Sequence, residues 1–422
     1  MIKVSNIFYF LIILILFSSL RHLSIIYYII VFSILSFFIL KTKRPIFKIG
    51  QKIPASMGFF IIFFILTIFS IIWSGIYWVS LDFIQAAPRA VLMLVVVVVL
   101  LSNLRSEEEF IKILKIILFC YFFAALTLLF QIYLNEPISW FARQVGRGGM
   151  VRYASILGSV TIFPSIVGYC FLIASSNLIS NRLYLRLLFV TFITITTFFT
   201  ISKAGVAILF LSMTIYLIFY YRSFIPSNFK IKKKMVSISL FILIFLISIN
   251  IDFISTYYNT TLTHSLGTNN ILYNSDTVIL DAPTLSIDII TNRLFQWTSI
   301  MIENYGPIVY FSGIGLQGAG GVFGFKYYGM AHNALGDLFF MGGFLYLSVF
   351  LFLYLTVQIF LWKNIKEPLA KIFFTLNIVF FINLLYASGS IFQPSISIPF
   401  WLSLVYVQFV NKKYFHKSRL IK

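Results

Sequence analysis

The sequence predicts an all-α fold, a polytopic membrane helix bundle of about 12 spans, and three observations indicate it. Hydrophobic residues make up 60% of the 422 positions, and charged residues only 10%, whereas soluble domains carry about 25% charged residues. The apolar residues form long runs that short basic segments separate. Because lipid accepts only helices and closed barrels, and the runs lack the alternation of barrel strands, each run is expected to be a helix.

The spans follow from the length that a membrane requires. A span needs about 20 mostly apolar residues, since a helix rises ~1.5 Å per residue across a hydrocarbon layer of ~30 Å. The first apolar run lacks a small-x-small cleavage site and leads straight into the second, so it is expected to be a span and not a signal peptide. The whole chain, 1–422, is therefore expected to form a single integral membrane domain. Twelve stretches meet or nearly meet the requirement, at residues 5–20, 23–40, 58–77, 87–103, 112–134, 154–174, 187–201, 204–221, 236–251, 332–360, 372–387 and 395–410.

The basic residues predict the orientation of these spans. With a cytoplasmic N-terminus, 24 of the 32 lysines and arginines fall on the cytoplasmic side, as the positive-inside rule requires. The net charge of +20 is then a topology signal and does not indicate a nucleic-acid partner. Both termini are expected in the cytoplasm. The eight basic residues on the outer side are Arg21, Arg89, Arg143, Arg147, Arg152, Lys203, Arg293 and Lys326.

Two outer connections depart from this charge pattern or from the usual loop length. The short loop between spans five and six carries Arg143, Arg147 and Arg152, which oppose their own topology signal and so indicate another use. The connection between spans nine and ten, residues 252–331, is far longer than any other, and loops of that length are usually functional or disordered.

The long outer loop contains one predicted helix and one glycine-rich segment. Residues 286–303 show a 3, 4, 3, 4 spacing that predicts an amphipathic helix, with Arg293 at the edge of its apolar face, either reaching inward over the bundle or snorkelling to the surface. Residues 313–324 carry dense glycines, which permit close approach to a ligand or a nest of N–H groups around an anion, although a flexible turn has the same composition. The apolar positions of the helix are Ile287, Ile290, Leu294, Trp297 and Met301.

Polar residues at the start of the tenth span complete the set of candidates. His332 precedes a long apolar run, so it is expected at a helix N-terminus, where the dipole favours neutral imidazole and attracts anions. Asn333 is a polar neighbour, and Asp337 lies just over a turn deeper, where a carboxylate is costly unless it is paired or hydrated. Lys203 marks the outer tip of the hairpin between spans seven and eight, either as a functional cation or as a snorkelling residue.

The order of short motifs from about Arg143 onward resembles the O-antigen polymerase and O-antigen ligase family of bacterial envelope glycosyltransferases. The first spans resemble that family only in hydropathy, and Lys203 stands where the family usually has arginine, so a bidentate phosphate contact is lost there. The motifs are Ser202-Lys203-Ala204-Gly205, Arg293-Leu294-Phe-Gln-Trp297, Gly313-Ile-Gly315, His332-Asn333 and Gly342-Gly343.

The resemblance implies a GT-C-like fold in the bacterial inner membrane and an active site on its periplasmic face. The implied substrate is an undecaprenyl-diphosphate-linked glycan, joined into O-antigen or capsular polysaccharide, with the bilayer and a chain-length regulator protein as partners. His332 would be catalytic or orient the acceptor, and Arg293 would contact the diphosphate. Substrate binding would further involve Arg143, Arg147, Arg152, Lys203, Asn333 and Asp337.

The chemistry of these residues agrees with a transfer from a lipid diphosphate. A base must take the proton of the acceptor hydroxyl, and cations must hold the leaving diphosphate. No Asp-x-Asp pair or His/carboxylate cluster occurs on the outer side, which predicts catalysis without a metal or other cofactor; inversion at the anomeric carbon is implied by the family. Two alternatives stay open: ligation of the finished polysaccharide to lipid A-core, and a transporter or flippase of the lipid-linked unit.

Overall fold

The computed structural model describes eleven of the twelve predicted apolar stretches and only part of the long outer loop. The ninth stretch (236–251) and the predicted amphipathic helix (286–303) lie outside the described residues. The described residues are 4–17, 25–41, 53–78, 83–138, 145–147, 150–158, 160–180, 182–200, 202–224, 306–307, 309–313, 315, 334–386 and 391–420.

Over these residues the fold is helical apart from one small β-hairpin. A helix occurs at each of the eleven predicted stretches, and a further short helix lies in the outer loop. The helices are α1 (Val4–Leu16), α2 (Ile25–Lys41), α3 (Ala55–Trp78), α4 (Phe83–Asn103), α5 (Glu107–Leu134), α6 (Ile162–Ser175), α7 (Leu183–Phe199), α8 (Lys203–Phe224), α9 (Val309–Ser312), α10 (Ala334–Lys363), α11 (Pro368–Tyr386) and α12 (Pro394–Leu420), and the hairpin strands are β1 (Val145–Arg147) and β2 (Met150–Arg152).

Four of the described helices are long and apolar enough to cross a membrane, which identifies a membrane protein. Shorter apolar helical stretches of 10–17 residues occur in six other helices of the described chain. Large hydrophobic side chains such as Phe119, Phe210 and Phe352 are exposed on the helices, as lipid-facing positions require. The four candidate spans are Ala55–Trp73, Glu107–Leu134, Ala334–Lys363 and Pro368–Leu385.

Two helices form the centre of the bundle. All 14 residues of α6 are buried, and α6 packs against α5, α7, α8, α11 and α12. The chain from Ile391 to Gln408, which includes most of α12, is buried as well. Polar side chains in this core bond between helices: Asn377 Nδ2 donates to Ser403 Oγ at 2.9 Å, and Asn383 Nδ2 donates to Ser165 O at 2.8 Å. Interhelical hydrogen bonds of this kind hold helices together in lipid.

One end of the bundle collects basic residues and is called the basic end. The ring centroid of Phe110, at the start of α5, lies 6.1 Å from that of Phe373 of α11 and 5.4 Å from that of Tyr406 of α12. Lys371 Nζ lies 5.4 Å above the Tyr220 ring of α8. These contacts place the α4–α5 and α10–α11 turns together with the far ends of α8 and α12, all of which belong to the predicted cytoplasmic side.

The opposite end, called the hairpin end, is formed by β1 and β2, the starts of α6, α8 and α10, and the ends of α5 and α11. A Cβ atom added to Gly205 of α8 would lie 3.1 Å from Pro164 Cβ of α6. The end of α11 bonds the start of α6 through Asn383 and Ser165. Tyr354 OH donates to Asn377 O at 3.0 Å and Gln358 Nε2 to Phe374 O at 3.5 Å, so α10 and α11 are antiparallel and α10 starts where α11 ends.

Two predicted helix bounds are wrong in detail. The sixth helix begins at Ile162 and not at 154, because Tyr153 OH donates to Asn135 Oδ1 and Gln131 Nε2 donates to Ala154 O, which hold this segment at the end of α5, and Gly158 has a φ of +135°. The tenth span is not one continuous helix: Gly342 and Gly343 are non-helical, and Gly343 has a φ of +67°. The first eight residues of α10, 334–341, therefore form a separate short helix whose residues are mostly buried.

Candidate functional site

Arg147 and Arg152, two of the three predicted loop arginines, lie in the β-hairpin. The register pairs Arg147 with Met150 and Val145 with Arg152, so Arg147 adjoins the turn and Arg152 stands at the open end of the hairpin. Arg152 is half-buried, and its Nη2 donates to Val160 O at 3.5 Å, just before α6. The hairpin is thereby linked to the start of the central helix. Arg143 lies outside the described residues.

Gln131 of α5 fixes the loop that follows the hairpin. Its side chain is buried, and Nε2 donates to Ala154 O at 2.8 Å and to Thr127 O at 3.2 Å. Gln131 Oε1 accepts a hydrogen bond from Ile138 N at 3.0 Å. Near the C-terminal end of α5, one side chain thus bonds both ends of the loop that carries the arginines, at Ile138 and at Ala154.

Lys203 is the first residue of α8, directly after the cap. Ser202 Oγ accepts a hydrogen bond from Gly205 N at 3.2 Å, which is the bond of an N-cap residue. A lysine in this position opposes the helix dipole, whose positive end lies here. The cost is offset if an anion binds at this end, since both the lysine and the helix N-terminus attract negative charge. The contact between Gly205 and Pro164 places α8 beside the start of α6.

Asp337 lies in the first turn of α10 and is buried, with 8% of its surface exposed. A carboxylate near a helix N-terminus interacts favourably with the dipole. Because a buried carboxylate is expensive in a membrane bundle, Asp337 stays a candidate for a functional role. His332 and Asn333 directly precede this helix in sequence but lie outside the described residues, as does Arg293.

Three motif glycines meet in one backbone contact, which we call the glycine clasp (Gly313, Gly342 and Gly343). A Cβ atom added to Gly313 would lie 2.4 Å from Gly342 N, and one added to Gly343 would lie 2.4 Å from Tyr310 O. Gly313 and Gly343 both have positive φ, at +64° and +67°. Any side chain here would force the backbones apart, so at Gly313 the close approach allowed by glycine is to α10 and not to a ligand.

Helix α3 supplies the polar partners of the clasp. Ser70 Oγ donates to Met341 O at 2.8 Å, and Trp73 Nε1 donates to Gly313 O at 3.3 Å. On the C-terminal side of the non-helical residues Gly342 and Gly343, Thr67 Oγ1 and Tyr346 OH are 2.7 Å apart. The Phe63 ring stacks on the Tyr346 ring, with 4.9 Å between the ring centroids. The outer face is closed by Tyr310, which stacks on Phe344 at 5.5 Å.

The structure therefore brings four predicted site residues to one end, and the others lie outside the described residues: Arg143, Arg293, His332 and Asn333. Arg147, Arg152, Lys203 and Asp337 all belong to elements of the hairpin end, although only the backbones of Arg147 and Lys203 are described. No sequence pattern singles out the roles of Gln131, Ser70 and Trp73. A polar residue within an apolar run does not reveal its partner, and a tryptophan at the end of a span is typical of the membrane interface.

No family model matches the chain, and no curated protein matches it.

Proposed function

We propose that this chain is a glycosyltransferase that polymerises undecaprenyl-diphosphate-linked repeat units into O-antigen or capsular polysaccharide at the periplasmic face of the inner membrane. One observation carries the proposal. The elements bearing Arg147, Arg152, Lys203 and Asp337 meet at the hairpin end of a membrane bundle, and His332 precedes the helix that starts there. Cations and a carboxylate from distant parts of the sequence thus share one side.

The chemistry assigned to these residues is a displacement at the anomeric carbon. His332 takes the proton of the acceptor hydroxyl as its oxygen bonds to that carbon. The carbon–oxygen bond to the diphosphate breaks, and its electron pair leaves with the undecaprenyl diphosphate. Arg293, Arg147 and Lys203 stabilise the charge that develops on the leaving group. The proposed reaction requires these residues at the depth of the lipid headgroups, where the diphosphate of the substrate lies.

The catalytic assignment is tested with a deletion strain complemented by variants of the chain, with the glycan profile read on a gel. His332→Ala is expected to remove the polymer while the protein still inserts, because loss of a general base costs about 10²–10⁴-fold in rate. Arg293→Ala is expected to do the same. Full-length glycan from both variants would overturn the site assignment. A deletion strain that keeps one repeat unit on the core indicates a polymerase, and one that keeps none indicates a ligase.

Lys203 allows a matched comparison with a cation at the other end of the bundle. Lys203→Ala is expected to lower the polymerisation rate by about 10–150-fold, the range of a charge-assisted hydrogen bond of ~1.5–3 kcal/mol. Lys203→Arg keeps the charge and is expected to retain activity. The control is Arg186→Ala, because Arg186 Nη1 bonds Ser175 O at the end of α6, away from the proposed site. A wild-type rate in the Lys203→Ala variant would show that this lysine only snorkels to the membrane surface and has no part in the reaction.

A further inference from the structure

We infer that Ser70 and Trp73 of α3 are positioning residues for the proposed site, because through the glycine clasp they fix the short first segment of α10, which follows His332 in the chain. The inference rests on the proposed function, since it concerns how that site is held. It starts from the break in α10, which divides the helix into a short first segment, residues 334–341, and a longer second one.

The break leaves backbone acceptors that need partners. Met341 is the last residue of the first segment, and carbonyls at a helix end have no intrahelical donor. Unsatisfied backbone groups are costly in a membrane bundle, where broken helices occur only against protein or a water-filled cavity. Ser70 Oγ supplies the donor for Met341 O, and both residues are buried. Ser70 therefore fixes the end of the short segment to α3.

Trp73 bonds Gly313, the residue of the glycine clasp that lies outside α10. Its Nε1 donates to Gly313 O one turn above Ser70, and its ring stacks on Phe69 at 6.3 Å. Gly313 in turn contacts the backbone of residues 340–342. The chain that leaves the clasp after Gly315 and the short segment that returns to it at Met341 are consequently tied to one helix face.

His332 lies on the chain between these two anchored points. It is two residues before Ala334, and the eight residues 334–341 connect it to the clasp as a helix, a length of about 12 Å at ~1.5 Å per residue. A short helix fixed at its far end transmits any displacement there to its start. A catalytic base misplaced by about 1 Å can cost 10²-fold in rate, so the clasp is well suited to control the base.

The experiment compares two hydroxyl deletions on the same face of α3. Ser70→Ala removes the donor to the break, whereas Thr67→Val removes the hydroxyl that contacts Tyr346 below the break and keeps the side-chain volume. Purified proteins in nanodiscs would be assayed with the lipid-linked repeat unit extracted from the source strain. Ser70→Ala is expected to lower kcat at least tenfold with KM within twofold, and Thr67→Val to leave both within twofold. Trp73→Phe is expected to follow Ser70→Ala, and Gly343→Ala to lose more than either.

A second measurement does not depend on activity. Hydrogen–deuterium exchange of the peptide covering 334–341 is expected to rise at least tenfold in Ser70→Ala and to stay unchanged in Thr67→Val. Equal exchange and equal kcat in the two variants would overturn the inference, as would faster exchange without a change in kcat. An unaltered glycan profile in the deletion strain would instead overturn the proposed function, whatever the exchange data show.

Discussion

Gly168 shows how tightly the central helix is packed at the level of one residue. A Cβ atom added there would lie 2.5 Å from Ser212 Oγ of α8 and 2.7 Å from Val379 Cγ1 of α11. Small residues let membrane helices approach each other closely, and Gly168 has this role at the crossing of three helices. The position of α6, on which the hairpin end is built, depends on it.

We predict that Gly168→Ala lowers the free energy of unfolding by about 1–3 kcal/mol, the usual cost of overpacking a core. The measurement is denaturation with SDS in mixed micelles, followed by circular dichroism. Gly58→Ala is the matched control, because its added Cβ meets nothing within 4 Å; it is expected to be neutral or stabilising by up to about 1 kcal/mol. Equal effects of the two substitutions would contradict this account of the packing.

At the scale of single residues, the sequence analysis singled out unusual charged residues but could not predict which hydrogen bonds form. Lys203 and Asp337 are unusual by type, since a charge near an apolar run has to be explained, and both lie on elements of the hairpin end. Ser70 and Gln131 are ordinary by type, and their importance comes from the carbonyls of Met341 and Ala154. Such bonds join residues far apart in the chain, which no local pattern encodes.

At the scale of elements, hydropathy predicted where helices occur but not where they break. Gly342 and Gly343 are apolar by composition, so the run 332–360 reads as one span, and only the backbone shows the positive φ of Gly343. The sixth span begins late for a related reason. Residues 154–161 are mostly apolar or small, but Ala154 O accepts a hydrogen bond from Gln131 Nε2, and the helix begins only at Ile162.

Helix α12 is a further element whose start lies inside the bundle. Tyr121 OH donates to Ser395 O, and Tyr121 is ten residues before Gln131, about 15 Å deeper along α5 at ~1.5 Å per residue. The residues before α12, Ile391 to Gln393, are buried at this depth. Irregular backbone is tolerated there because side chains satisfy it: Trp401 Nε1 donates to Ile391 O at 3.3 Å.

We predict that Trp401→Phe destabilises the protein by about 1–3 kcal/mol, because Ile391 O loses its side-chain donor in the core. Trp362→Phe serves as the control, since Trp362 has 55% of its surface exposed on α10 and Trp401 has none; it is expected to stay within about 0.5 kcal/mol. Thermal unfolding of the purified proteins in one detergent measures both. A stable Trp401→Phe variant would show that the Ile391 carbonyl has another donor.

At the scale of the whole molecule, the charge distribution and the packing give the same division into two ends. Arg105, Arg186 and Lys371 lie on elements that meet at the basic end, and Arg152 and Lys203 lie on elements of the hairpin end. The positive-inside rule predicts that the basic end faces the cytoplasm. The proposed site would then face the periplasm, where the glycan chemistry of the proposed reaction would take place.

This orientation is open to a direct test with single cysteines at exposed turns. Cys120 and Cys170 are buried, so they can be replaced by alanine with little effect on the turns themselves. Glu136 follows α5 at the hairpin end, and Asn177 follows α6 at the opposite end; both are exposed. We predict that a membrane-impermeant maleimide labels Glu136→Cys in intact spheroplasts and labels Asn177→Cys only after lysis. The reverse pattern would place the hairpin end in the cytoplasm and remove the basis for a periplasmic transferase, whereas equal labelling before lysis would contradict the two-ended packing itself.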